Sequence, residues 1–238
     1  MASQWKSRAI FGSLALALGG YGTLASLEGA GRAEAKGGRA RAAFDQAIGN
    51  NVGEMVEEGR RTFRFDTFGD EAFWGGMLQL HDAIQGKKFG GVGPGLSPKA
   101  ALNLGLKVDV DALPADLVQR LRSGNVPLDD PAITLALLQL NAVVGVTGFF
   151  QQNGSLSSVG IQCALCHSTV DDSLLPGIGS RLDGWAARDL NIGAIVALAP
   201  SLKPFAELLE VDEDTVRTVL NSWGPGKFDA ELVLDGKA

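Results

Sequence analysis

Apolar residues recur at three- and four-residue intervals over much of this chain, the spacing that gathers them on one face of a helix. Val52, Val56, Gly59 and Phe63 mark the first such face. After a turn at Thr67–Gly69, Asp70 stands where it can cap a helix over about 71–85, on which Phe73, Met77, His81 and Ile84 share a stripe. Ser97 followed by Pro98 opens a short helix. Pro114 opens another over 114–123, with Leu117, Val118 and Leu121 inward and Gly124 as its stop. Asp129, Asp130 and Pro131 lead into the longest apolar run, uncharged from Ala132 to Phe150, which predicts a helix over about 131–150. Gln139 and Asn141 at its centre favour burial in protein over a membrane span. Residues 151–160 read as a polar connection. Helices follow near Leu190–Leu198 and Pro204–Leu209. A last one over 213–223 has Asp212 as cap, Glu213 and Asp214 in its first turn and Gly224-Pro225 as its stop. The expectation is an all-α fold.

The start of the chain carries a different pattern. Lys6 and Arg8 precede an uncharged run from Ala9 to Leu27, which reads as a secretory signal or, alternatively, a membrane anchor over residues 1–35. Thr23-Leu24-Ala25 and Ala33-Glu34-Ala35 are its candidate cleavage sites. Residues 36–50, rich in Gly, Ala and Arg, read as a flexible leader, and 51–238 as the folded domain. Phe228–Ala238 ends mid-loop without a closing element, as in a fragment of a longer protein. At 238 residues, 45% of them hydrophobic and 20% charged, the chain can bury a substantial core. Its net charge of −6 argues against a nucleic-acid surface. Gly90–Gly95 looks like a phosphate-cradling loop but lacks the Gly-Lys-Ser/Thr ending and reads as an ordinary loop.

The chemistry concentrates in Cys163-Ala164-Leu165-Cys166-His167, which holds both cysteines of the chain and one of its two histidines. C-x-x-C-H is the attachment sequence of a c-type haem. Thiols three residues apart lie on one side of a helical turn and can add across the two vinyl groups of one porphyrin. The histidine that follows is then placed to ligate the iron. The chemical rivals are a redox dithiol and half of a zinc site. A dithiol wants a preceding strand in a βαβ setting, which residues 154–160 barely offer. A zinc site lacks a fourth ligand nearby.

Around the motif the chain resembles the cytochrome c superfamily. Gly59 with Phe63 is similar to the glycine–aromatic helix that opens class I members, and the helix over 213–223 to the C-terminal helix that crosses it. The stretch Leu174-Leu175-Pro176-Gly177 through Leu182-Asp183-Gly184-Trp185 resembles the loop passing the proximal haem face. The resemblance implies a cytochrome c-like helical haem domain with one covalent haem c per chain. It implies Cys163, Cys166 and His167 as its attachment points, with the Pro176 carbonyl accepting the His167 Nδ1–H. It offers Trp185, Arg181 and Arg188 as propionate partners, against the alternative that these arginines only face solvent.

The family pattern fails in two places. Residues 67–155 read as a helical insertion between the opening helix and the motif, and no methionine follows His167. The sixth iron ligand is then His81, or Met77 or Met55, or a residue beyond the chain given, or none. With both axial positions filled, the expectation is an electron carrier in the periplasm or at the outer face of the membrane, exchanging electrons with redox proteins or a membrane chain. With an open position it is a peroxidase-like enzyme or a sensor, with Gln79, His81 and Asp82 as the distal groups.

Overall fold

A computed structural model describes residues 24–227; most of the apolar N-terminal run and all of the final segment, 228–238, lie outside them. The chain divides into two compact units, the first ending at Met55 and the second beginning at Val56. α1 (Leu24–Phe65) runs through residues 36–50, where the sequence suggests a flexible leader. In the first unit Phe44, Ile48, Val52 and Met55 lie exposed along it.

The second unit corrects the all-α expectation. The protein is about half helical with 12% strand in three small sheets, a mixed α/β arrangement. The decisive segment is the apolar run. Asp130 caps α5 (Pro131–Gln139) by accepting from the Ala132 N–H at 3.0 Å, but the helix stops at Leu140. Asn141 then turns the chain at φ +51°, a left-handed value that asparagine tolerates better than most residues. From there valines and phenylalanines dominate, and β-branched and aromatic side chains suit a pleated surface. They form β2 (Val146–Phe150), paired antiparallel with β3 (Leu156–Ile161), so residues 151–160 are a hairpin turn and a strand rather than a polar connection.

The helix expected over 71–85 is also broken. A π-helical turn (Ala72–Met77) precedes α2 (Leu80–Gln85), with Gln79 at φ +56° between them. Gly75 explains the break: its face lies against Ser158 of β3 so closely that any Cβ there would overlap that side chain. The other expected helices stand, with short-range signals setting their ends. Ser97 Oγ accepts from Ala100 N–H at 3.3 Å to start α3 (Pro98–Asn103). α4 (Ala115–Arg122) follows Pro114, and α7 (Ile192–Val196) and α8 (Lys203–Leu209) lie near the expected positions. Asp212 accepts from Thr215 N–H at 2.7 Å to start α9 (Glu213–Ser222). α9 packs on α7 and α8.

Two further strand pairs are made over long sequence distances. β1 (Val108–Asp109) runs parallel to β5 (Ile178–Gly179), and β4 (Ser168–Val170) antiparallel to β6 (Arg181–Asp183). The core joins Leu78, Leu138, Val159, Leu202 and Leu220, each at most 2% exposed. Each such side chain contributes about 1.5–3 kcal/mol of burial.

Candidate functional site

The motif leaves β3 through Gln162 and forms a single helical turn, α6 (Ala164–His167), before β4 begins at once. Ala164 and Leu165 point inward, 0% and 7% exposed, whereas Cys163, Cys166 and His167 are exposed. Positions i, i+3 and i+4 of one turn share a face, so both thiols and the imidazole face away from the core together. The cysteines are free. Leu165 lines an apolar core cavity of about 50 Å³ on the inner side. That volume admits at most a solvent-sized guest.

The turn is held rigidly from beneath and behind. Gln162 N–H donates to the Gly145 carbonyl at 3.0 Å, and Gly145, at φ +83°, meets the Leu165 backbone where a side chain would begin. The Cys166 carbonyl accepts from Ala187 N–H at 3.0 Å and the His167 carbonyl from Gly184 N–H at 2.8 Å. Between those two bonds stands Trp185, 66% exposed. Its indole borders the motif in solvent rather than in a closed pocket. Phe63 of α1 packs on Ala164, Val144 and Val170. At Gly59 an added Cβ would meet nothing, so no other element approaches α1 there.

A charged group supports this arrangement from the side of β6. Asp183 accepts from Ser168 Oγ at 2.9 Å and from Arg64 Nε at 2.6 Å, tying the end of α1 to the β4–β6 pair. Arg181, expected at a propionate, is instead folded inward with its side chain 2% exposed. Its Nε lies 3.2 Å from Asp109 Oδ2, yet Nε and Nη1 make no well-aligned hydrogen bond. The Phe65 ring covers it at 5.6 Å. Burial pulls its guanidinium below the usual value; Asp109 opposes that shift, and Arg64 adds to it. Arg188 is exposed.

The remaining predicted residues make no hydrogen bond or ion pair with the motif among the described residues. Pro176 occupies the turn between Leu175 and Ile178, whose Gly177 carbonyl accepts from Val108 N–H at 2.9 Å. No hydrogen bond joins it to the His167 ring. His81 is mostly buried on α2, its Nε2 3.5 Å from Asp82 Oδ1 and its Nδ1 without a hydrogen-bond partner among the described residues. No hydrogen bond or ion pair links it to the motif. Met77 and Met55 are 55% and 63% exposed. Among the described residues no group of three or more His, Cys, Asp or Glu side chains is placed to hold a bare ion.

The rival chemistries can be weighed against this geometry. A strand does precede the motif, which the sequence barely suggests, but it pairs antiparallel in a hairpin rather than in a βαβ unit. The Cys166 thiol is raised above its ordinary value, by the protein packed around it and then by Cys163. A reactive dithiol needs the opposite shift. The donor set of two uncrosslinked thiols and an outward imidazole on one turn suits thioether attachment of a haem. Residues given no role of their own in the sequence expectation but central here are Arg64, Asp183, Gln162 and Gly145. Of these only Arg64 had a visible signal, the arginine–aromatic run from Arg60 to Phe65.

Comparison with protein-family models, curated proteins and solved structures gives no match for this chain.

Proposed function

We propose that this chain is a c-type cytochrome that carries one haem through Cys163 and Cys166, with His167 as the iron ligand, and transfers electrons outside the cytoplasm. The observation that supports the reading is the shared outward face of those three side chains on one rigidly braced turn. Each thiol adds S–H across one vinyl group, sulfur to one carbon and hydrogen to the other, so nothing is oxidised or lost. The backbone bonds at Cys166 and His167 fix the turn, so the imidazole is presented without reorganising the chain. When bound there, a haem would supply a one-electron couple suited to redox partners or a membrane chain. The basic, then apolar N-terminus supports periplasmic export, where c-type haem is attached.

The test is expression with a cytochrome c maturation system, followed by haem staining on a denaturing gel. The parent stains and gains the mass of one haem, and Cys163→Ala/Cys166→Ala does not. Pigment removed by acid acetone refutes covalent attachment. A second reading is favoured by one observation: no hydrogen bond or ion pair joins His81, the one histidine outside the motif, to the attachment turn. In that reading the sixth position takes a small ligand or peroxide. Rapid carbon monoxide binding to the reduced protein supports it; a spectrum indifferent to carbon monoxide supports the carrier.

A further inference from the structure

The helices and the β2–β3 hairpin do not close completely on one another. α2, α3, α5 and α7 surround the core cavity of about 50 Å³ that Leu165 lines, with Val146, Val159 and Ile161 of the hairpin on its remaining side. Protein interiors hold few voids larger than a water molecule, so this one is a specific feature of the fold. Only two of its lining side chains carry polar atoms. The Lys107 ammonium is engaged elsewhere, donating to the Gly105 carbonyl at 2.8 Å and to Asp189 Oδ2 at 2.5 Å. Thr134, 5% exposed, has a hydroxyl with no hydrogen-bond partner among the described residues. A water needs only roughly 10–15 Å³ but makes about three hydrogen bonds, so the cavity has the room and lacks the partners. An apolar cavity of about 150 Å³ stays dry and takes benzene or xenon, and one about a third of that size suits a single atom or a diatomic molecule.

The cavity also has a way in. Leu96 and Leu198 line both it and a surface cleft of about 270 Å³ bounded by the loop at 92–95 and by residues 199–200. Leu198 is 38% exposed. The one charged side chain of that cleft, Arg217, is committed to the Ala197 and Ala199 carbonyls, so the approach is nearly as apolar as the interior. We infer that cleft and cavity together form a binding site for a small uncharged diatomic gas such as dioxygen, admitted between Leu96 and Leu198. Leaving water for an apolar space favours such a guest, and no polar group has to be desolvated to receive it. It rests against Leu165, between the two cysteines, from the core side. None of Cys163, Cys166 and His167 lines the site, so it exists whether or not a haem is attached.

The probe is xenon, an inert apolar atom of comparable size, dissolved under pressure with the full chain carrying isotope-labelled methyl groups. Methyl resonances of Leu137, Val143 and Leu165 are expected to shift and saturate as xenon pressure rises, while those of Val216 and Leu220, 2% exposed on α9 and away from the cavity, do not. Ala101→Val and Val143→Ile each add carbon at the cavity wall and are expected to lose the saturating shift; two are made so that one remains if the other fails to fold. Leu198→Trp keeps the saturated shift but slows xenon exchange, and an unchanged exchange rate overturns the entry route. Thr134→Val leaves xenon affinity unchanged. A gain of about tenfold in that variant, the worth of one hydrogen bond to a displaced water, means that water holds the site and overturns the gas reading. Shifts that rise alike at all five residues, or that survive in the filled variants, overturn it as well.

Discussion

Replacing Gly145 by alanine tests whether the attachment turn depends on a close backbone approach. Gly145 has φ +83°, and an added Cβ would lie within 3.0 Å of three Leu165 atoms, two of them backbone. Gly124 has a similar φ of +69° but open space where its Cβ would be. The left-handed conformation alone costs an L-residue about 1–2 kcal/mol, a term common to both sites. Overlap with packed atoms that cannot rotate away adds about 1–3 kcal/mol at Gly145 only. The sums are about 2–5 kcal/mol for Gly145→Ala and about 1–2 kcal/mol for Gly124→Ala, against a total stability of about 5–15 kcal/mol. Urea unfolding followed by far-ultraviolet circular dichroism reads both. With a slope of about 2 kcal/mol per molar, the midpoint falls by about 1–2.5 M for Gly145→Ala and by about 0.5–1 M for Gly124→Ala. On the proposed haem reading, the yield of covalent haem is expected to fall with the first variant only. Equal midpoint shifts would mean that the 145–165 contact contributes nothing beyond backbone strain, and the reasoning about the turn's support would fail.

Two further outcomes follow from the polar groups flanking the motif. Asp183→Ala strands Arg64 and the Ser168 hydroxyl at once and is expected to cost about 1–3 kcal/mol, the usual penalty for unpaired, part-buried polar groups. A double-mutant cycle with Arg64→Ala should recover part of it, and strict additivity would argue that the pair is not formed. Asp70, which accepts from Trp74 Nε1 and Ile161 N–H, is raised from its ordinary value of 3.8, burial outweighing those hydrogen bonds. The folded state therefore holds this proton more tightly than the unfolded chain. Its favourable contribution is complete below pH 3.8 and is lost as pH rises through the folded value. The stability of the parent should fall relative to Asp70→Asn as pH climbs through that window. A difference that is flat with pH would remove Asp70 as the cause.

What could be read from residues alone was whatever a few neighbours decide. Helix caps at Ser97, Asp130 and Asp212 are bonds between a side chain and an amide two or three positions on, so local order suffices for them. The attachment motif is equally local, because one turn of helix by itself aligns Cys163, Cys166 and His167. Other features needed partners distant in the chain. An uncharged run such as Ala132–Phe150 suits a buried helix or a helix followed by a strand equally well; the turn at Asn141 and the pairing of Val146–Phe150 with Leu156–Ile161 settled it. Gly75 breaks a helical stripe only because Ser158 lies against it. Arg181 is buried and Pro176 turned toward β1 because Asp109 and Val108 reach them across the fold. Periodicity encodes which face of an element is apolar, but it carries no record of what will cover that face, and that is fixed only when the elements pack.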